Sequence, residues 1–130
     1  SLLNNIIPTE TGAAIAVTRV IPKLKGKLDG IAMRVPVPSG SVIDFTCIVK
    51  KKTTKEEVNA IFKKSAKKMK GVIEYSEDEI VSTDILGNTH CAIFDSKLTH
   101  VSGKLVKVFA WYDNELGYAH KIMEMIKFIS

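Results

Sequence analysis

The chain has 130 residues, of which 45% are hydrophobic and 25% charged, and carries a formal net charge of +5. That length and composition fit one globular domain able to bury a core without disulfides or metals. No apolar run approaches the roughly 18 residues of a membrane-crossing helix.

The sequence opens at Ser1-Leu2-Leu3 in mid-pattern, without an initiator Met, and reads as a processed or truncated chain. Thr9-Glu10-Thr11-Gly12 leads into apolar positions at Ala13, Val17, Val20 and Leu24. Their spacing is close to the helical period, and Pro22 limits the helix near its end. Residues 28–37 alternate Ile31, Met33 and Val35 against Ala32, Arg34 and Pro36, which is a strand pattern. After the Pro38-Ser39-Gly40 turn, residues 41–50 alternate again, with Asp44 and Thr46 opposite a face of Ile43, Phe45, Cys47 and Val49. Cys47 on that face is expected to act as a small core hydrophobe.

Thr54-Lys55-Glu56-Glu57 is a capping box and starts the clearest helix in the chain. Val58, Ile61, Phe62, Ser65, Ala66 and Met69 form its expected buried stripe, and Gly71 ends it. Residues 72–75 and 91–95 read as short strands around a polar connection at 76–88. Residues 98–101 and 105–112 predict a hairpin around Ser102-Gly103. A closing helix sets Leu116, Ala119, Ile122, Met123, Ile126 and Ile129 on one face. Strands joined by short turns favour antiparallel pairing. The expected fold is therefore α+β, a largely antiparallel sheet with helices packed on one face, and no linker or repeat divides it.

Cys47 and Cys91 lie far apart, form no CxxC or Cys/His cluster, and read as free thiols. His90, His100 and His120 lack metal-ligand spacing, so no metal site is expected. The positive charge is concentrated: Lys63, Lys64, Lys67, Lys68 and Lys70 crowd one helix, and Lys50, Lys51 and Lys52 precede it. Such a cluster serves either as a solvated helix face or as a footprint for RNA or another polyanion. No aromatic residues interleave with the lysines as a base-stacking platform requires, which favours the solvated face.

Three features point to ligand chemistry. Thr11-Gly12 at a helix start offers unpaired amides and a favourable dipole to an anion, although Thr also serves there as an ordinary cap. Arg34 interrupts an apolar strand, where an always-charged guanidinium needs water, a carboxylate such as Asp44, or a ligand anion. The run Trp111-Tyr112-Asp113-Asn114-Glu115-Leu116-Gly117-Tyr118 sets a carboxamide among aromatics. A carboxamide held there donates to and accepts from another amide, while a capped helix packed by aromatics explains the same residues structurally.

Four blocks together resemble the C-terminal catalytic domain of phosphorylating glyceraldehyde-3-phosphate dehydrogenases. They are Asn5-Ile6-Ile7-Pro8-Thr9-Glu10-Thr11-Gly12-Ala13-Ala14, then Gly26-Lys27-Leu28-Asp29-Gly30-Ile31-Ala32-Met33-Arg34-Val35-Pro36, then Tyr75-Ser76-Glu77-Asp78 with Val81-Ser82-Thr83-Asp84, and finally residues 111–118. The resemblance implies that Thr11 and Gly12 bind inorganic phosphate or the substrate phosphate, and that Arg34 reaches the phosphate sites from its strand. It implies that Asn114 holds the nicotinamide carboxamide of NAD and that Tyr118 packs beside the ring. The implied reaction oxidises glyceraldehyde 3-phosphate through a thiohemiacetal, passes hydride to NAD and releases 1,3-bisphosphoglycerate by phosphorolysis of a thioester.

The family nucleophile lies in a Ser-Cys-Thr-Thr-Asn motif and the catalytic His in a His-Ala-Tyr-Thr run. Neither motif occurs here, and neither does a GxGxxG unit for the dinucleotide. Cys47 and Cys91 do not stand in for the nucleophile. The expectation is therefore residues 1–130 as the C-terminal part of the catalytic domain, with NAD bound mainly by an absent domain and no activity in isolation. Partners would be glyceraldehyde 3-phosphate, inorganic phosphate, the missing N-terminal portion and three further copies in a cytoplasmic homo-tetramer, without a membrane. Glu10, Ile15 and Leu116 depart from common family residues; Glu10 either weakens phosphate binding by repulsion or serves as a favourable first-turn acid pointing to solvent. The alternative is a non-catalytic polyanion-binding or oligomerisation module.

Overall fold

The computed structural model of the protein describes residues 4–130; the chain start at Ser1-Leu2-Leu3 lies outside the described residues. The chain divides into two compact units, one ending at Pro38 and the other spanning Ser39–Ser130. The division falls after Pro36-Val37-Pro38, where two prolines withdraw backbone donors from any ladder.

In the first unit, β1 (Ile7–Glu10) pairs antiparallel with β2 (Ile31–Arg34), setting Ile7 opposite Arg34 and Thr9 opposite Ala32. Between them run α1 (Ala13–Val20) and a 3-10 turn at Pro22–Leu24. The single helix expected up to Leu24 breaks at Ile21, because Pro22 has no N–H to continue the ladder. The expected strand over 28–37 forms only at its centre, since prolines at 36 and 38 and Gly30 confine it.

In the second unit a four-stranded sheet has the order β3-β6-β5-β4, with β3 at Ser41–Ile48, β4 at Ile73–Ser76, β5 at Ala92–Ser102 and β6 at Leu105–Tyr112. β3–β6 and β6–β5 are antiparallel and β4–β5 is parallel, so the α+β sheet is largely antiparallel with one parallel edge. Gly103, at a φ of 63°, turns the β5–β6 hairpin where the sequence places it. β5 runs unbroken through the expected gap at 96–97 by bulging between Asp95 and His100. The bulge is pinned from two sides. Asp95 Oδ1 accepts the N–H of Lys97 at 3.0 Å and of Leu98 at 3.3 Å. Asn59 donates Nδ2 to the Ser96 carbonyl at 3.0 Å and accepts the Thr99 hydroxyl at 2.7 Å.

Asn59 belongs to α2 (Lys55–Lys68), whose capping box at Thr54 and Glu57 is formed on both sides. α2 lays Val58 and Phe62 on the sheet, against Phe94, Val106 and Val108, with Cys47, Val49, Tyr75 and Val101 around them. Phe62 stacks on Phe94 with centroids 3.9 Å apart, and Tyr75 stacks on Phe94 at 5.7 Å. Cys47 packs as the expected small hydrophobe. Ile61 does not join the stripe: it is 63% exposed, because it sits on the flank of the Val58–Phe62 line rather than along it.

α3 (Leu116–Ile129) forms where expected, yet Gly117 is the only buried residue of this helix. Its apolar face, including Ile122, Met123, Ile126 and Ile129, is exposed. Uncovered apolar surface of this extent marks an interaction face. No helix among the described residues is long and apolar enough to cross a membrane.

Candidate functional site

In the first unit, Thr11 and Gly12 stand at the start of α1, with Gly12 as N-cap and so no side-chain bond from the cap residue itself. Thr11 Oγ1 instead accepts the N–H of Ala13 at 3.2 Å. The first-turn amides of an eight-residue helix are thus only partly used, and that turn carries no acidic residue. Arg34 is exposed and has no ion pair among the described residues. Asp44, the carboxylate weighed as its structural partner, is taken by Lys107 on the neighbouring strand at 2.8 Å.

The β1–β2 register decides how these groups relate. Arg34 is opposite Ile7, and Thr9 is opposite Ala32, so Arg34 and Thr9 share a face as diagonal neighbours. Thr11 lies beyond Glu10, which is opposite Ile31. At about 3.3 Å per residue, the Arg34 and Thr11 backbones are offset by roughly 13 Å along the strand. Thr11 and Gly12 at the start of α1 are therefore set apart from Arg34, which lies beside Thr9.

In the second unit, residues 111–118 carry the chain from β6 into α3, and the side chains of Asp113 and Asn114 both engage backbone amides there. Asp113, buried, accepts N–H groups from Leu116 at 2.8 Å, Glu115 at 3.0 Å and Gly87 at 3.0 Å. These amides, the one at Leu116 foremost, hold its carboxyl below the usual aspartate range. Asn114, exposed, accepts from the Gly40 N–H at 3.2 Å and the Ser41 hydroxyl at 3.3 Å through Oδ1. Its Nδ2 has no hydrogen-bond partner among the described residues. Asn114 and Tyr118 line an open cavity of about 340 Å³, together with His90, Cys91, Tyr112 and Gly117. Gly117 belongs there because a Cβ would come within 3.3 Å of the His90 carbonyl.

A carboxamide whose oxygen is engaged and whose amide nitrogen has no partner, on a residue lining an open cavity, can pair with another carboxamide. His90 Nδ1 lies 2.9 Å from Asn88 Oδ1 and 3.1 Å from Glu74 Oε2, which fixes the imidazole at the cavity edge. The sequence presents Gly40 and Ser41 only as a turn and a strand start. Their link to Asn114 is more than seventy residues long and leaves no local signal.

The lysine-rich helix is less free than its composition implies. Lys63 donates to both oxygens of Glu77, at 2.9 and 2.8 Å, and lies over the Tyr75 ring. That carboxylate raises the Lys63 pKa and neutralises part of the patch.

Residues 1–114 match the family model described as the glyceraldehyde 3-phosphate dehydrogenase C-terminal domain. Over 128 residues the chain is 54% identical to glyceraldehyde-3-phosphate dehydrogenase of Streptomyces coelicolor, covering 96% of this chain and 38% of that protein. It is 48% identical over 126 residues to the enzyme of the same name from Mycobacterium avium, covering 96% and 37%. The Glossina morsitans morsitans enzyme is 47% identical over 127 residues, covering 96% and 38%. The chain thus spans less than two fifths of the length of these curated relatives. With the model matched over most of its length, the chain belongs to the glyceraldehyde 3-phosphate dehydrogenase C-terminal domain family.

Proposed function

We propose that this chain is the C-terminal part of the catalytic domain of an NAD-dependent, phosphorylating glyceraldehyde-3-phosphate dehydrogenase, supplying its phosphate-binding and nicotinamide-contacting residues. The dinucleotide-binding domain and the segment bearing the nucleophilic Cys and catalytic His belong to the rest of the enzyme. The net reaction takes glyceraldehyde 3-phosphate, NAD and inorganic phosphate to 1,3-bisphosphoglycerate and NADH. The observation that carries this reading is the Asn114 carboxamide, held through its oxygen by Gly40 and Ser41 on a residue that lines the same cavity as Tyr118.

NAD, when bound, supplies the hydride acceptor. This chain's residues orient the reactants. Asn114 donates to the nicotinamide carboxamide oxygen, and Tyr118 packs beside the ring and fixes its plane. Thr11 and Gly12 hold one phosphate at the start of α1, and Arg34 takes another with a forked, charge-assisted contact. Two separated anion points suit a reaction that uses two phosphates, one on the substrate and one as the attacking nucleophile. Holding both converts random encounters into an oriented approach. The exposed apolar face of α3 supports assembly into the homo-tetramer, and a glycolytic reaction belongs in the cytoplasm.

The test is NADH formation by the complete enzyme from glyceraldehyde 3-phosphate, with and without inorganic phosphate, in wild type and in Asn114→Ala. Phosphate-dependent NADH formation, with a raised KM for NAD in the variant, is the expected result. Equal rates without phosphate, or an unchanged KM for NAD, reject the reading. The 130-residue chain alone is expected to form no NADH.

A further inference from the structure

A primary carboxamide has two ends of nearly the same shape, one donating and one accepting. A flexible Asn therefore presents either end to a ligand, and a flipped Asn114 would oppose its oxygen to another carbonyl oxygen. The Gly40 N–H resolves this choice, because it can only donate, whereas a hydroxyl either donates or accepts. The Gly40 N–H, at 3.2 Å, and the Ser41 hydroxyl, at 3.3 Å, both point at Asn114 Oδ1.

Gly40 is itself fixed. Its φ is +89°, a backbone conformation that L side chains rarely adopt, and a Cβ there would lie 2.9 Å from the Ser82 carbonyl and 3.2 Å from Ile85 Cδ1. Ile85 is 2% exposed, so that wall does not yield. The adjacent residue of the turn is anchored separately, through the bond from the Gly87 N–H to Asp113. Residues 82–87 thus brace both the donor to Asn114 and the residue before it.

We infer that the Gly40 N–H sets the polarity of the Asn114 carboxamide and that Ser41, donating to the same oxygen, is a positioning group that steadies it, keeping its amide nitrogen toward the nicotinamide carboxamide oxygen. This rests on the nicotinamide-binding reading of Asn114. Both act through Asn114.

The experiment measures binding of NAD and of ADP-ribose, which lacks the nicotinamide, to the complete enzyme by calorimetry. Variants are Ser41→Ala, Ser41→Thr, Asn114→Ala and the double variant Ser41→Ala with Asn114→Ala. Loss of one neutral hydrogen bond predicts an NAD affinity lower by about 2- to 12-fold in Ser41→Ala. ADP-ribose affinity stays at the wild-type value, and Ser41→Thr, which keeps a hydroxyl, restores NAD binding. In the Asn114→Ala background, Ser41→Ala adds nothing. If Asn114→Ala weakens NAD but Ser41→Ala does not, the positioning role is wrong and the nicotinamide reading stands. If Ser41→Ala weakens NAD and ADP-ribose alike, its effect is general and the positioning role is again wrong. If Asn114→Ala leaves NAD binding intact, the nicotinamide reading fails and the inference falls with it.

Discussion

Trp111 donates its indole N–H to Asp95 Oδ2 at 3.0 Å, bridging β6 and β5 on the sheet face opposite α2. Asp95 is 1% exposed, and its other oxygen is committed to the bulge amides of Lys97 and Leu98. The first aromatic of the run 111–118 is therefore a structural anchor, tying the start of that segment to the β5 bulge. Trp111→Phe leaves a buried carboxylate oxygen without its donor and is expected to lower stability by about 1–3 kcal/mol. Urea unfolding reads this directly, and a variant as stable as wild type would show that the indole contact is idle.

The Asp113 carboxylate makes the same region acid-sensitive. The N–H of Leu116, then those of Gly87 and Glu115, lower its folded pKa relative to the unfolded value of about 3.9. A lowered folded pKa means that the group contributes stability above the unfolded value, which is lost as pH falls through the folded one. Glu56 and Glu124 are lowered as well, so the wild type loses several contributions as pH falls below about 4. Asp113→Asn removes one of them. The variant is expected to be less stable at neutral pH, and the gap should narrow in acid below about pH 4. Unfolding midpoints that run parallel across this range would contradict the role assigned to Asp113.

Thr54 accepts the Glu57 N–H at 3.2 Å, and Glu57 Oε2 accepts the Thr54 N–H at 3.1 Å. Glu57 also receives the Thr53 hydroxyl at 2.8 Å, so the helix start is tied three ways. Thr54→Ala is expected to cost about 1 kcal/mol and Thr54→Ser only a few tenths. Thermal unfolding of the two variants distinguishes a cap from a mere surface threonine, and equal losses would argue against capping.

Local signals account for what the sequence made legible. The capping box at Thr54, the Gly103 hairpin, the alternation of β3 and the periodic apolar positions of α3 all lie within a few residues of their cause. Two kinds of feature were not legible. The parallel β4–β5 pairing joins strands across a long polar connection, and alternation within a short strand carries no direction. Burial of α2 and exposure of α3 also look alike in periodicity, since a pattern names the apolar face and not what covers it. At the site, Thr11, Gly12, Arg34, Asn114 and Tyr118 stood out as chemistry-bearing residues in unlikely settings or in family-like blocks. Gly40 and Ser41 did not, because the contact that gives them meaning exists only after β3 and the end of β6 are paired, Ser41 opposite Tyr112.

Arg34 provides the sharpest separation among the proposed roles. It is exposed, has no ion pair among the described residues, and shares a face with Thr9 rather than with the start of α1. Its removal should therefore affect phosphate recognition without disturbing the nicotinamide contacts. A hydrogen bond to a charged group is worth about 1.5–3 kcal/mol, so Arg34→Ala in the complete enzyme should raise KM for glyceraldehyde 3-phosphate or inorganic phosphate by about 10- to 100-fold. Arg34→Lys keeps the charge but loses the planar fork, and should recover only part of that loss. Affinity for NAD should remain at the wild-type value in both variants. Titrating each substrate separately tells which phosphate Arg34 holds. An Arg34→Ala enzyme with unchanged constants for both phosphates would remove the guanidinium from the site, leaving Thr11 and Gly12 as the proposed anion point of this unit.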